Sequence, residues 1–240
     1  MYLDYYLMGI ILLPAILLAI YAQSKVNNTY SQFSKVIAQN GLKAQEVARL
    51  LLDCADLKNI TITKVNGKLT DYYDHKNQTL ALSSSTYDSS SVAALGVAAH
   101  EVGHALQFKD EYLPIKIRSF IIPLTNISST ILWPLVLIGL VLNFAIYPGT
   151  IIGNVFLWIG VAFFGIAVIL DLITLPVEYN ASRRAIELLS QTEILNEEET
   201  KGAKKVLSAA ALTYVASLLN SILNLVRFVL VFIMNSRRND

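Results

Sequence analysis

Two histidines and a glutamate stand together in the nearly uncharged stretch "SVAALGVAAHEVGHALQFKDEY", residues 91–112. Titratable side chains are costly in such apolar surroundings unless a specific interaction holds them there. His100 and His104 are four residues apart, so on an α-helix they lie on one face and can reach the same ion. The chain has only three histidines, and two of them occupy this pattern. The H-E-x-x-H spacing therefore predicts a zinc site with one Zn²⁺ per chain.

Glu101 is the general base that this pattern provides. In such sites zinc lowers the pKa of a water molecule to near 7, the glutamate takes its proton, and the hydroxide attacks a peptide carbonyl. The pattern thus predicts a zinc-dependent metalloendopeptidase. The alternative is a helix in which neighbouring groups satisfy two buried histidines without a metal. The charge-poor helix gives no other reason for polar groups, which favours the metal.

A catalytic zinc takes three protein ligands, so a third ligand must lie elsewhere in the chain. Asp110 is six residues after His104, the offset of the third ligand in metzincins, but that geometry needs a glycine where this chain has Gln107. If the helix continues instead, Asp110 is displaced by about 9 Å along its axis and is too far away. His75, the third histidine, lies in a region rich in Asp and Lys and is expected to be a solvated loop residue.

Glu178 is the predicted third ligand. No acidic residue lies between Glu111 and Asp171, which excludes a ligand some 20 residues after the motif, and Asp171 is expected within the membrane boundary. Pro176 suits the first turn of a new helix. On that helix one stripe places small residues beside the acid: Glu178, Ala181, Ser182, Ala185 and Leu189. The alternative is a solvated first-turn glutamate that the helix dipole favours.

The composition indicates a membrane protein. Hydrophobic residues make up 54% of the 240 residues and charged residues 15%, against about 25% charged in an ordinary soluble domain. The net charge of +1 argues against nucleic-acid binding, which normally needs a basic face. The single cysteine, Cys54, excludes an intramolecular disulfide and a cysteine-rich zinc site. The lipid bilayer is therefore an expected partner.

Three apolar regions predict about four transmembrane helices. Residues 5–22 are uncharged and suit an N-terminal anchor; a cleaved signal peptide, the alternative, would need a positively charged start. Residues 119–170 contain no Asp, Glu, Lys or Arg and, as one helix, would be over twice as long as the bilayer core. They must therefore turn, and "YPGT" at 147–150 signals the turn. Residues 206–234, interrupted by Arg227, form the fourth segment, either spanning or partly interfacial.

The distribution of lysine and arginine predicts the orientation. Eleven of the 19 lie between residues 22 and 118, five lie between 177 and 205, and none lies in the turn at 147–150. The positive-inside rule then places both charged regions in the cytoplasm and the turn outside.

The region between the first two spans is predicted to be a small α+β unit. Apolar residues recur at helical spacing in residues 42–57, and residues 59–65 alternate as in a half-buried strand. Asn66-Gly67 carries the signal of a β-hairpin turn. The helix of the metal motif is expected to be capped by one of Ser89, Ser90 or Ser91.

A second strand before the metal motif is a candidate substrate-binding element. It is predicted at Thr79, Leu80, Ala81 and Leu82. Strands can bind an extended peptide by strand addition. We therefore expect this strand to receive the substrate.

Three segments of the chain resemble the YugP-like membrane zinc metallopeptidases: "AAHEVGHALQ", "DYYDHKNQTLALS" and "LPVEYNASRRAI". The resemblance covers most of the chain, about residues 40–215. More distantly, the chain resembles the membrane-embedded prenyl-protein and heat-shock proteases. In those, a zinc helix and a transmembrane excursion precede a glutamate ligand in an E-x-x-A-D context, which here reads "EYNAS", with Ser182 at the acidic position.

The resemblance implies zinc bound by His100, His104 and Glu178, with Glu101 as general base. A peptidase also needs to stabilise the oxyanion that forms during hydrolysis. The candidates that follow the predicted third ligand are Tyr179, Arg183 and Arg184. The alternative for the two arginines is contact with lipid phosphates.

We therefore expect a mainly α-helical membrane protein with about four transmembrane helices and a small α+β zincin-like catalytic insertion. The expected divisions are an N-terminal anchor (1–22), a cytoplasmic zinc-peptidase region (23–118), a transmembrane hairpin (119–176), a cytoplasmic helical segment (177–205) and a C-terminal membrane helix with its tail (206–240).

The expected function is gluzincin-like hydrolysis of a peptide or membrane-protein substrate at the cytoplasmic face of a bacterial membrane. Two alternatives stay open. One is an intramembrane metalloprotease, against which the charged residues 109–111 argue because they follow the motif so closely. The other is a non-catalytic membrane scaffold with a structural zinc.

Overall fold

The structure, a computed structural model, describes residues 9–143 and 150–236 of the chain. Most of these residues are helical: α1 (Leu13–Phe33), α2 (Ala44–Cys54), α3 (Val92–Lys109), α4 (Leu113–Val141), α5 (Ile151–Gln191) and α6 (Glu197–Ser236). Three short strands lie between α2 and α3: β1 (Thr61–Val65), β2 (Tyr72–Asp74) and β3 (Thr79–Ser83). The predicted combination of a mainly α-helical chain with a small α+β insertion is confirmed.

The chain divides into two compact units. The first unit contains the described residues of 1–20, 117–174 and 214–240, and the second contains residues 21–116 and 175–213. The three strands, α2 and α3 lie in the second unit, together with the C-terminal part of α5. All four residues of the predicted metal site therefore belong to one unit.

The sheet of the second unit has the order β1-β3-β2. β1 runs parallel to β3, with Thr61 opposite Thr79, and β2 runs antiparallel to β3, with Tyr72 opposite Ala81. The central strand is buried, as an apolar strand covered on its faces must be, at Leu80, Ala81, Leu82 and Ser83. The strands predicted within residues 59–65 and 79–82 are confirmed.

Helix α3 is the centre of the second unit's core. It begins after Ser91, whose hydroxyl accepts the N–H of Ala94 at 3.2 Å, so the predicted serine cap is confirmed. Its buried side chains pack in one hydrophobic cluster with those of α2, the sheet and α5, including Leu51, Leu52, Leu80, Leu95, Val102 and Leu189. This packing fixes the helix of the metal motif on several sides.

The hairpin predicted at Asn66-Gly67 is wrong. β1 and β2 are not neighbours, because β3 lies between them. Gly67 still has a positive φ of 118°, which turns the chain after β1. The antiparallel hairpin joins β2 to β3 instead, and the Asp74 carboxylate holds its turn by accepting the N–H groups of Lys76 at 2.9 Å and Asn77 at 3.3 Å.

The expectation that a substrate adds to β3 does not fit this sheet. β1 pairs with β3 along its whole length, and β2 occupies the other edge at Thr79, Leu80 and Ala81. Leu82 is paired with Lys64 of β1. Strand addition needs an unpaired edge, which Thr79, Leu80 and Ala81 lack because they are paired on both sides.

The new helix predicted to start at Pro176 is also corrected. Helix α5 is continuous from Ile151 to Gln191, with Pro176 inside it. Proline has a φ compatible with a helix, and its missing N–H costs one backbone hydrogen bond to the carbonyl of Leu172. Five residues that follow it are buried, and their packing stabilises the helix beyond this defect: Val177, Glu178, Ala181, Ala185 and Leu189.

Helices of sufficient length and apolar character to cross a membrane contribute residues 151–174 and residues from 214 onward to the first unit. By length and composition, the described residues give two such helices, Ile151–Gln191 and Glu197–Leu230, or three if the bent pair Leu113–Thr125 and Thr130–Val141 forms one span. Four spans are therefore not confirmed. Residues 1–8 of the predicted anchor lie outside the described residues, and α1 does not meet the same criterion because its second half is polar. Most of the predicted turn at 147–150 also lies outside the described residues.

Candidate metal centre

The two motif histidines and Glu178 converge at one point of the second unit. The Nε2 atom of His100 lies 3.2 Å from Glu178 Oε2, and the Nε2 atom of His104 lies 3.7 Å from the same oxygen. The two imidazole rings stand nearly perpendicular, at 82°, with centroids 4.7 Å apart. The three candidate ligand atoms all lie within 4.8 Å of one another. Two helices thus present two nitrogens and one oxygen to a single position.

A close contact between α3 and α5 allows this convergence. An added Cβ at Gly103, inside the motif, would lie 2.5 Å from the carbonyl oxygen of Ala181, closer than real Cβ atoms come. Only glycine permits the two helix backbones to approach so closely here. Ala181 and Ala185, on the stripe that carries Glu178, are fully buried. The small residues of both helices therefore bring the carboxylate to the imidazoles.

The far nitrogens of both imidazoles are held by α3 and α5. His100 Nδ1 lies 3.2 Å from the hydroxyl of Ser182, and His104 Nδ1 lies 3.0 Å from Gln107 Oε1. Metal-binding histidines usually have their second ring nitrogen hydrogen-bonded in this way, which fixes the ring and the tautomer. Ser182 thus contacts a predicted ligand through its hydroxyl.

The donor set fits a zinc ion. Zinc is bound by histidine nitrogen and carboxylate oxygen, and catalytic sites use three protein ligands. The side chains are well shielded, with exposed fractions of 15% at His100, 12% at His104 and 3% at Glu178. The site holds two carboxyl groups, those of Glu178 and Glu101, in little solvent. A divalent cation would compensate their negative charge.

Glu101 is buried beside the ligands, with 7% of its surface exposed. Burial raises the pKa of its carboxyl above the ordinary value; the charges of His104 and His100 oppose this rise, and those of Glu178 and Asp71 add to it. A carboxyl whose pKa is raised toward neutrality is better suited to exchange protons than an exposed one.

The pKa of His104 is also raised in these surroundings, although burial acts against the rise in this case. Burial by itself lowers the pKa of this imidazole, but the hydrogen bond to Glu178 and the charges of Glu101 and Glu178 outweigh it, so the pKa is raised. The site therefore favours positive charge at the position of the imidazoles.

The other acidic and histidine candidates are not at this position. Asp110 caps α3 and forms an ion pair with Arg184. Asp171 lies in the first unit and accepts hydrogen bonds from the hydroxyls of Ser217 and Ser221. His75 stacks on Phe108, with ring centroids 4.2 Å apart.

The three candidates for oxyanion stabilisation differ in their surroundings. Tyr179 is 53% exposed. The Arg183 side chain is mostly exposed and pairs with Glu187 at 3.8 Å. Arg184 is the least exposed of the two arginines and donates through Nε to Asn180 Oδ1 at 2.8 Å, besides its pairing with Asp110. Its Nε and one Nη1 donor are thus engaged by Asn180 and Asp110.

Gln107 is the residue of this site that the sequence reasoning missed. Its side chain is fully buried and makes hydrogen bonds to His104, Val177 and Asn180. The available signal was its position three residues after His104, which places it on the same helix face. A polar side chain on the metal-facing side of a buried helix needs partners, and the ligand is the nearest.

Comparison with known proteins agrees with this geometry. Residues 8–233 match the family described as "Putative neutral zinc metallopeptidase". The chain belongs to this family. It is similar to the "Putative membrane protease YugP" of Bacillus subtilis (strain 168), with 39% identity over 228 residues that cover 95% of this chain and 97% of that protein. No solved structure matches the chain.

Membership of a zinc metallopeptidase family makes zinc the cofactor, and His100, His104 and Glu178 are the group that could hold it among the described residues. The similarity to a membrane protease agrees with the two apolar helices long enough to cross a membrane. The sequence predictions of a zinc peptidase and of membrane association are confirmed.

Proposed function

We propose that this protein is a membrane-anchored zinc endopeptidase with a gluzincin-like site, in which His100, His104 and Glu178 bind the metal and Glu101 is the general base. The observation that carries the proposal is the convergence of the three ligand atoms within 4.8 Å, beside the buried carboxyl group of Glu101. Bound zinc supplies Lewis-acid chemistry, lowering the pKa of water and polarising a carbonyl.

Glu101 performs the proton transfers in this proposal. Its carboxylate takes a proton from the attacking water and returns it to the nitrogen of the leaving amine. Burial, which raises the pKa of this carboxyl above its ordinary value, supports its role in accepting and returning the proton. The imidazoles and Glu178 stay fixed meanwhile, since Ser182 and Gln107 hold the two rings from behind.

The number of ligands favours an enzyme over a scaffold. Structural zinc sites are closed by four protein ligands, whereas catalytic sites use three and leave one position open. In the part of the chain that the structure describes, the candidate group has three members. An intramembrane site is disfavoured because α3, which carries the motif, is not among the described helices that could cross a membrane.

Peptide hydrolysis is tested with the purified full-length protein in detergent and a library of fluorescence-quenched peptides. We expect cleavage that a chelator abolishes and that added zinc restores, while Glu101→Gln is inactive with zinc bound. If the protein bound zinc but cleaved neither the peptides nor soluble or membrane-protein substrates, the scaffold would be favoured instead.

We also propose that the second unit faces the cytoplasm, because most of the chain's lysines and arginines lie in this unit. Single cysteines on a Cys54→Ala background test this. Lys76→Cys and Glu193→Cys, both exposed and both in the second unit, should react with a membrane-impermeant thiol reagent only after cell lysis. Gly149→Cys should react in intact cells. The reverse pattern would contradict the orientation.

A further inference from the structure

The amide of Gln107 has one possible orientation. The carbonyl oxygen of Val177 lies 2.8 Å from one end of the amide, and a carbonyl oxygen can only accept a hydrogen bond. That end must therefore be the NH₂ group. The other end, 3.0 Å from His104 Nδ1, must be the oxygen.

A second acceptor enforces the same orientation. Asn180 Oδ1 lies 3.0 Å from Gln107 Nε2 and 2.8 Å from Arg184 Nε. Arginine has no acceptor, so the Asn180 atom facing it must be the oxygen. Arg184 is itself anchored by the carboxylate of Asp110. The chain of contacts from Asp110 to Gln107 thus has a single consistent direction of donors and acceptors.

The orientation of Gln107 determines which nitrogen of His104 carries the proton. Because Gln107 Oε1 can only accept, His104 Nδ1 must donate and so carries a hydrogen. In the neutral imidazole Nε2 then has the free lone pair, and this atom faces Glu178. Gln107 therefore holds the proton on Nδ1 and leaves Nε2 as the atom of His104 that can bind a metal.

His100 lacks this constraint. Its Nδ1 partner is the hydroxyl of Ser182, which can either donate or accept. The serine hydroxyl therefore does not determine which nitrogen of His100 carries the proton.

We propose that Gln107 is a positioning residue that fixes the ligand tautomer of His104, supported by Asn180 and Arg184, whereas His100 has no partner that fixes its tautomer. The proposal rests on the proposed function, since it assumes that both histidines bind the metal. It assigns Arg184 to the support of a ligand, because its Nε donates to Asn180 and its Nη1 pairs with Asp110.

Two substitutions at Gln107 separate positioning from mere packing. Gln107→Met keeps the length and volume but removes the acceptor for Nδ1. Gln107→Glu keeps that acceptor but loses both donors, toward Val177 and Asn180. Loss of the hydrogen-bond partner of a metal-binding histidine typically lowers metal affinity by about 10–100-fold. We expect this loss in Gln107→Met and a smaller loss in Gln107→Glu.

The experiment is a competition titration of the purified full-length variants with a chromophoric zinc chelator, combined with thermal melting of the zinc-free proteins. The positioning role predicts that Gln107→Glu binds zinc more tightly than Gln107→Met although it melts no higher. Gln32→Leu, an exposed glutamine on α1, is the control and should bind zinc like the parent. Affinities that simply follow the melting temperatures would overturn the proposal.

The tautomers can also be read in the unmodified protein, which avoids any folding defect. In zinc-free protein labelled with nitrogen-15 histidine, at a pH where the imidazoles are neutral, His104 should carry its proton on Nδ1. A proton on Nε2 of His104 would overturn the proposal. Zinc bound equally well by His104→Ala would instead refute the proposed function, so the two failures are distinguishable.

Discussion

Helix α3 brings three of the four central site residues within five consecutive positions, whereas α5 brings one, Glu178, 74 positions after His104. The pitch of a helix alone places the α3 residues on one side. The α5 carboxylate reaches the same point only because two helices touch at Gly103 and Ala181. Substitution of a motif residue of α3 should therefore remove a metal ligand or the general base. Substitution on the α5 side should also weaken the packing of the two helices.

The largest effect is expected from removing a motif histidine. His100→Ala and His104→Ala each delete one of three ligands, so the purified variants should lack zinc and activity. Elemental analysis of the zinc-to-protein ratio measures this directly. His75→Ala is the matched control, because that ring stacks on Phe108 away from the cluster, and it should keep its zinc. Full occupancy in either motif variant would show that α3 does not supply the ligands.

Glu101→Gln should separate catalysis from metal binding on the same helix. The amide cannot take a proton from water, so the turnover number should fall by about 10²–10⁴-fold, the usual contribution of a general base. The zinc content should match that of the parent, since the three ligands are unchanged. Turnover at the parent rate would show that another group is the base.

On the α5 side, Glu178→Ala should lower zinc affinity by more than about 100-fold, because loss of a ligand exceeds the loss of a group that only orients one. Asp110→Ala, at the end of α3, should lower it by less than about tenfold, since Asp110 acts only through Arg184 and Asn180. Chelator competition on both variants gives the comparison. The opposite ranking would move the third ligand to α3 and remove the role of α5.

The smallest effect concerns the contact between the two helices. Gly103→Ala places a Cβ against the Ala181 carbonyl and should cost about 1–3 kcal/mol, as overpacking of a filled core does. The melting temperature of the zinc-free protein should fall accordingly. Gly165→Ala is the control, because an added Cβ there meets nothing within 4 Å. Equal melting temperatures of the two variants would show that the close approach at Gly103 does not matter.

The sequence predicted those features that depend on neighbours along the chain. The helical spacing of His100 and His104, the Ser91 cap and the strands β1 and β3 each follow from a few consecutive residues. The Asn66-Gly67 turn was misread because a local turn signal does not say which strands pair, and β3 inserts between the two that were expected to meet.

Long-range packing decided the rest. Pro176 suggested a helix start, but the buried stripe that follows it keeps α5 continuous. Gln107 was considered only because it replaces the glycine of a metzincin site. Its role depends on its hydrogen bonds to His104 of α3 and to Val177 and Asn180 of α5. Glu178 does lie beside the histidines, as predicted. It could be chosen from the sequence because few other acids were available, and its neighbours in sequence did not identify it.

Zinc-edge X-ray absorption of the purified full-length protein tests the central claim most directly. The chain has three histidines and one cysteine, so the spectrum can reveal binding by all three imidazoles or by the thiolate. The account predicts two imidazoles, nitrogen and oxygen neighbours at about 2.0–2.2 Å, and no sulfur at about 2.3 Å. A third imidazole would place His75 at the metal, a sulfur neighbour would place Cys54 there, and either result would contradict a site built from His100, His104 and Glu178.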